Sequence, residues 1–340
     1  MMFEKLSLIL RSSSRITLDP LHRKAKLSPL KYGPVKGRFL YFLMALLNAK
    51  GIIQMKRLTV SHFRELIEVH PEAIPNIFWP YQCRSWDSST RVDFLYSHFL
   101  TLPDLRYRVE CHPSHQRIIA DADDIYRGLR IVVDQHSLFM REGMITLNIY
   151  VEHERIFTIA FSLCKDDRGK ICAIAGAIQG RRMANITELY RDMTKKTYGI
   201  RPRDLMVEVF QIVCRLSGVE KIFAVSESHR QHRHHFYQLK NKQSRLNLNY
   251  DEVWSDRSGI RCSDAFYELP VIPVRKPLSR IIAKKRSMYR NRYALLERLE
   301  NEIEQGLSSY GSWVVHEPRF CSSDIRIAGD GWGNLKSPAQ

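Results

Sequence analysis

The sequence predicts an α+β chain with a helical N-terminal part, a central antiparallel meander with helices, and a long basic C-terminal helix. Three observations carry this. Apolar residues alternate with period two across 145–163, recur at helical spacing across 202–216, and at 277–305 combine helical spacing with many cations. A chain of 340 residues, 44 % hydrophobic and 26 % charged, has globular composition and can bury a sizeable core.

Residues 1–38 read as a loose basic lead, because Pro20, Pro29, Gly33, Pro34 and Gly37 oppose long helices. Residues 39–100 read as helical. Their run 39–47 (FLYFLMALL) is short of the about 20 apolar residues a bilayer span needs and suits a buried helix. Its basic flank leaves a peripheral membrane anchor as the alternative. Ser61 can cap a helix carrying Phe63, Leu66, Ile67 and Val69, which Pro71, Pro75 and Pro80 then interrupt. Trp79, Tyr81 and Trp86 suit packing better than ligand contact.

An α+β core follows over 101–305. Ile145, Leu147, Ile149 and Val151 alternate with Thr146, Asn148 and Tyr150, and Phe157, Ile159, Phe161 and Leu163 with Thr158, Ala160 and Ser162, which predicts a half-buried hairpin linked through 152–155. Residues 171–178 (ICAIAGAI) are apolar on both faces, as a covered central strand requires. Asn185 with Glu188 resembles a capping box, and Gly199 fits a left-handed stop. Pro202 opens a second helix with a buried stripe of Leu205, Val209, Ile212, Val213 and Leu216, ended by Gly218. Short strands are expected at 221–226 and 266–269. The helix expected at 277–305 places Leu278, Ile281, Ile282, Leu295 and Leu299 on its apolar side, and the tail 306–340 reads as loose.

The net charge of +17 is concentrated. Residues 11–38 net +7, residues 221–245 net +5 and residues 275–298 net +8, so the rest of the chain is slightly acidic. Such segments suit an anionic partner, whether nucleic acid, anionic lipid or a phosphorylated ligand; solvated surface is the plainer alternative. Lys284, Lys285, Arg286, Arg290 and Arg292, interleaved with Tyr289 and Tyr293, form the best candidate for anion or nucleic-acid binding, and RNA binding is one reading of them. Seven scattered cysteines, without a CxxC pair, point to a reducing compartment. With a start (MMFEKLSLIL) that lacks a basic leader, the expected location is the cytoplasm, with the inner-membrane periphery as the variant.

Five strings occur in order: TKKTYGIRP (194–202), SESH (226–229), YDEVW (250–254), FYELP (266–270) and KKRSMYRNRY (284–293). As an ordered set they resemble the VirK/YbjX family of bacterial proteins over about residues 30–305. Val253, the stretch 256–259 and the tail depart from its pattern. The resemblance implies a role in virulence, surface virulence-protein expression and resistance to cationic antimicrobial peptides; it names no catalytic residue.

The strand and helix order is also similar to an acyl-CoA-dependent N-acyltransferase core, in which backbone N–H groups after the central strand hold a pyrophosphate. Here that segment is Gln179, Gly180, Arg181 and Arg182, leading to a helix near Asn185. It lacks the glycine spacing of that superfamily, so an ordinary strand-to-helix loop is the competing reading. His229, His232, His234 and His235 enclose Arg230 and Arg233, so a dication would meet positive charge, and no metal is predicted. His229, at a strand end, is the best single polar candidate of that cluster. Tyr250, Asp251 and Trp254 could bind a ligand or orient His229, or could pin a loop to the core. No GxSxG, HExxH, P-loop or dinucleotide fingerprint is present, and no cofactor is called for.

Overall fold

The computed structural model describes residues 79–234, 248–309 and 313–314, together with Asn48, Lys50, Gly51 and Asn76. The basic lead, the run 39–47, the helix expected after Ser61, and His235 lie outside the described residues. Five helices and nine strands are described: α1 (Ser88–Thr101), β1 (Gln116–Asp121), β2 (Leu129–Asp134), β3 (Ile145–Val151), β4 (Glu154–Lys165), β5 (Ile171–Gly180), α2 (Ile186–Lys196), α3 (Pro202–Leu216), β6 (Lys221–Val225), α4 (Tyr250–Asp256), β7 (Ile260–Arg261), β8 (Phe266–Leu269), α5 (Ala283–Ser308) and β9 (Trp313–Val314). One sheet runs β7-β8-β6-β5-β4-β3-β2-β1-β9. Every pairing is antiparallel except β5 with β6, the pair joined by the two helices α2 and α3.

The predicted hairpin is β3–β4, turning at residues 152–153 with Val151 opposite Glu154. It is not half-buried: β4 is buried from Arg155 to Cys164. Phe161 meets Phe210 of α3 on one face, ring centroids 5.0 Å apart, and the next side chain, Ser162, meets the Tyr81 hydroxyl at 2.7 Å on the other. The segment 79–101 thus covers the face that alternation assigned to water. The polar residues there bond to one another: Asn148 donates to Asp134 at 3.0 Å and accepts from Thr158 at 2.7 Å.

α3 begins with Pro202 in its first turn, and Gly218 follows it at φ +84°. α2 starts after Asn185 as expected, but the capping-box bond is absent because Asn185 itself is left-handed, φ 61°. The C-terminal helix starts later than its apolar spacing suggests. Residues Leu278–Arg280 form a 3-10 turn, Ile281 and Ile282 are extended, and α5 begins at Ala283. Ile281 is buried while Ile282 is 73 % exposed, so Ile282 does not belong to the buried stripe. α5 packs through Leu295, Leu299 and Ile303 and lies on β1 and α3. No described helix is long and apolar enough to cross a membrane.

Candidate functional site

Three stretches distant in sequence meet where β5 and β6 part: the turn 139–143, the segment 226–234 and α4. The parting has a local cause. Ala160 pairs with Ala177 and Phe161 with Ala175, so Gly176 is the extra residue of a bulge in β5. The parallel β5–β6 ladder ends at the same level, with Ala175 opposite Ala224. Gly176 also lets the Glu142 carbonyl close onto β5, since a methyl group there would collide with it. The turn is thereby clamped onto the sheet, and Glu142 enters the gap 3 % exposed.

Amides hold its carboxyl group. Gln179 Nε2 donates to both oxygens at 3.0 and 2.9 Å, and Gln231 Nε2 lies 3.4 Å from Oε1. His232 Nδ1 is 3.3 Å from the same oxygen. Burial pushes the Glu142 carboxyl up to about 7, against the pull of the Arg230 charge. Burial, then the charges of Arg230, Arg141 and Arg233, hold His232 below the ordinary imidazole range, although 31 % of its side chain reaches solvent. A carboxyl group that titrates near neutrality, beside a neutral imidazole open to water, can exchange protons with a bound group.

Behind Glu142 the charges are compensated. The buried Arg230 guanidinium lies 3.7 Å from the Tyr250 ring centroid and donates to Glu227 and to the Leu248 carbonyl, both at 3.2 Å. Arg233 takes the other Glu227 oxygen at 2.5 Å. Burial pushes Glu227 up, but Arg233 and Arg230 outweigh it and hold this carboxyl below its usual range. The Tyr250 hydroxyl accepts the Ile178 N–H at 3.0 Å, and the Trp254 indole N–H donates to the Val225 carbonyl at 2.9 Å. α4 therefore satisfies one backbone group on each of the two parted strands. In front, Gln82 and Gln231 each bury a side-chain oxygen that accepts no hydrogen bond among the described residues.

A family model described as a protein of unknown function (DUF535) matches residues 32–305. The chain belongs to the DUF535 family. Among curated relatives, two uncharacterized proteins of Haemophilus influenzae are 28 % identical over 178 residues and 25 % identical over 266 residues. These matches cover 52 % and 74 % of this chain and 57 % and 86 % of the relatives. The uncharacterized protein YbjX of Escherichia coli is 28 % identical over 145 residues, 43 % of each chain, in keeping with the VirK/YbjX resemblance of the five ordered strings. The chain thus spans about half the length of two of these relatives and most of the third. No solved structure matches it.

Of the residues singled out from sequence, Gln179, Tyr250 and Trp254 converge on this split in the DUF535 member. Gly180 ends β5 against Phe157 and the Tyr190 hydroxyl. Arg181 gives its N–H to the Ile156 carbonyl and its guanidinium to Glu154, while Arg182 is exposed. Asp251 accepts the Glu227 N–H at 2.8 Å. His229 meets the hydroxyls of Ser226 and Ser228 at 3.3 and 3.0 Å, and burial, then the Arg84 charge, lowers its pKa. Lys284, Lys285, Arg286, Arg290 and Arg292 stand on α5. No group of three metal-ligating side chains forms among the described residues.

Sequence reasoning missed Glu142, Gln82 and Gln231, and used Arg230 only as a charge that argues against a metal. The one available signal for Glu142 was an acid between Met140 and Met144 with glycine after it, a poor position for a solvated charge. A shallow groove lined by Ile118, Asp121, Glu302 and Gln305 lies at β1, four strands from β5, and shares no residue with this cluster.

Proposed function

We propose that this DUF535 member is an acid–base enzyme of the acyl-transfer class, and that its output is the envelope and virulence role which the VirK/YbjX resemblance implies. The observation that carries the reading is Glu142: enclosed, held by amides at the bulge of the central strand, and titrating at about 7. The strand order supports the class. Antiparallel strands lead into a parallel pair that parts beside a strand-to-helix connection, as in the acyl-CoA-dependent core that the sequence resembles. Tyr250 and Trp254 fill the depth of the split, so a substrate approaches across His232 and Gln179, which are partly exposed.

In the reaction proposed, ionised Glu142 takes a proton from an amine or hydroxyl as that nucleophile attacks a thioester carbonyl. The new C–N or C–O bond replaces the C–S bond, and the proton passes to the departing thiolate. The unfilled acceptors on Gln82 and Gln231 suit a donor group of the nucleophile.

Calorimetric titration with acetyl-CoA and palmitoyl-CoA, followed by thiol release, tests the class. Binding is expected, with Glu142→Gln retaining it while thiol release falls by about 10²–10⁴-fold. Absence of heat at high protein concentration removes acyl transfer. In a deletion strain, rescue of peptide resistance by Glu142→Gln at the wild-type level removes the acid–base role.

A further inference from the structure

Four large aliphatic or aromatic side chains among the described residues are at least 70 % exposed, and three of them fall within eleven residues: Ile272 (70 %), Val274 (75 %) and Ile282 (73 %). Their loop, between β8 and α5, is firmly held. Gln211 donates to the Pro270 carbonyl at 2.7 Å, Arg275 grips both oxygens of Glu208 at 3.0 and 2.9 Å, and Tyr293 donates to the Lys276 carbonyl at 2.9 Å. Ile281 is buried beside exposed Ile282. A loop fixed at four points, with its bulkiest apolar groups turned to water, presents those groups as a surface.

Within the loop and the first turns of α5 the charge has one sign. Residues 270–296 contain eight Lys and Arg and no Asp or Glu. Lys276, Arg280, Lys284, Lys285 and Arg290 are exposed, and none pairs with a carboxylate among the described residues. The end of α2 adjoins this surface, because the Tyr198 carbonyl accepts two bonds from Arg292, and it adds exposed Lys195 and Lys196. Cations around protruding aliphatics complement an anionic lipid bilayer, whose headgroups take the charge and whose acyl boundary takes the apolar side chains.

A single-stranded nucleic acid would use cations as well, but it also needs open aromatic faces. Two of the three aromatics here are engaged: Arg292 lies 4.3 Å from the Tyr289 ring centroid, and Arg275 5.6 Å from that of Tyr293, whose hydroxyl is spent on the loop; the third, Tyr198, is 38 % exposed, well below the three aliphatic side chains. What protrudes is aliphatic.

We propose that the loop 271–282 and the first turns of α5 seat this protein on an anionic membrane surface, with Ile272, Val274 and Ile282 entering the interface and Lys276, Lys284 and Lys285 meeting lipid phosphates. The surface is independent of the Glu142 cluster and of the chemistry proposed there.

Vesicle sedimentation of the full chain tests it. The chain is expected to sediment with phosphatidylcholine–phosphatidylglycerol vesicles and to stay in solution with phosphatidylcholine alone. Replacing Ile272, Val274 and Ile282 by Asn should abolish sedimentation at physiological salt. Lys276→Gln, Lys284→Gln and Lys285→Gln together should weaken it roughly hundredfold. All six side chains are exposed, so circular dichroism is expected to be unchanged; should the triple Asn variant not fold, Ile282→Asn alone must still weaken binding. Equal sedimentation with neutral vesicles, or binding indifferent to the Asn substitutions, overturns the proposal. Retention on single-stranded RNA that is tighter than on vesicles and survives those substitutions overturns it in favour of nucleic acid.

Discussion

The segments around 221–234 and 270–296 look alike as sequence, both rich in Arg and Lys, yet they fold into opposite electrostatic situations. In the first, Lys221, Arg230 and Arg233 each meet a carboxylate, and Arg230 is buried over an aromatic ring. In the second, five of the cations face water without one. The compensation is partly local and partly remote: Glu227 takes both Arg230 and Arg233, while Asp166 lies 55 residues before Lys221. A local charge count therefore reports supply, and the fold decides which cations remain available to a partner. Guanidiniums, which bond in fixed planar geometry and are weakly hydrated, fill the buried site, while the unpaired cations of the exposed one are Lys276, Lys284 and Lys285 with Arg280 and Arg290. The basic segment 221–245 is thus part of the framework over its described residues, which narrows the anion-facing surface expected from sequence.

The sharpest test of this contrast is Arg230→Ala. Removing one partner of a buried ionic network leaves Glu227 with Arg233 alone and deprives the Tyr250 ring of its cation. A loss of about 3–5 kcal/mol is expected from urea unfolding. A loss below about 1 kcal/mol would mean that the cluster is solvated like the exterior, and the contrast would fail.

A smaller effect separates Glu142 from its surroundings through pH. Its carboxyl is pushed up to about 7 in the folded state from 4.5, so the folded protein binds the extra proton between those values. The stability this contributes is complete below pH 4.5 and is lost as pH rises through about 7. The amount is on the order of 3 kcal/mol. His232 has the opposite sign, because its lowered pKa withdraws stability as pH falls below 6.5. The burial and arginine charges that set the His232 shift are common to wild type and Glu142→Gln, so the wild type should lose ground to the variant between pH 5 and 7.5. Parallel curves would place Glu142 in water.

The same distinction between local and assembled structure explains what could be read from sequence. Strand β5 was legible because ICAIAGAI has no polar face, and α3 because Pro202 and Gly218 bracket a helical stripe. Whether Thr158 and Ser162 face water depends on the segment 79–101, which no local pattern of β4 reports. The start of α5 misled for a related reason: Leu278 and Ile281 fit helical spacing, but a 3-10 turn and an extended pair bury Ile281 instead. Gln179 and Tyr250 could be singled out by their place after a central strand and by their chemistry. Glu142 could not, since its environment exists only when three remote stretches close around Gly176.

The smallest expected effect bears on what the exposed cations do to the helix that carries them. Lys284, Lys285 and Arg286 occupy the first turn of a 26-residue helix that has no acid in that turn and no side-chain cap. The helix N-terminus carries the positive end of the macrodipole, so cations there repel it, and three adjacent cations repel one another. Replacing Lys284 and Lys285 by Gln should therefore stabilise the protein, by about 0.3–1 kcal/mol at low ionic strength. The gain should vanish near about 1 M salt, where the screening length falls to about 3 Å. The contrast with Arg230 is one of sign as well as size: a cation inside the split supports the fold, whereas these two weaken it slightly. Destabilising charge on a rigid surface is expected where binding depends on it. A stability loss on this substitution, or a gain indifferent to salt, would show that the lysines serve the helix, and the electrostatic argument for a partner at α5 would lose its footing.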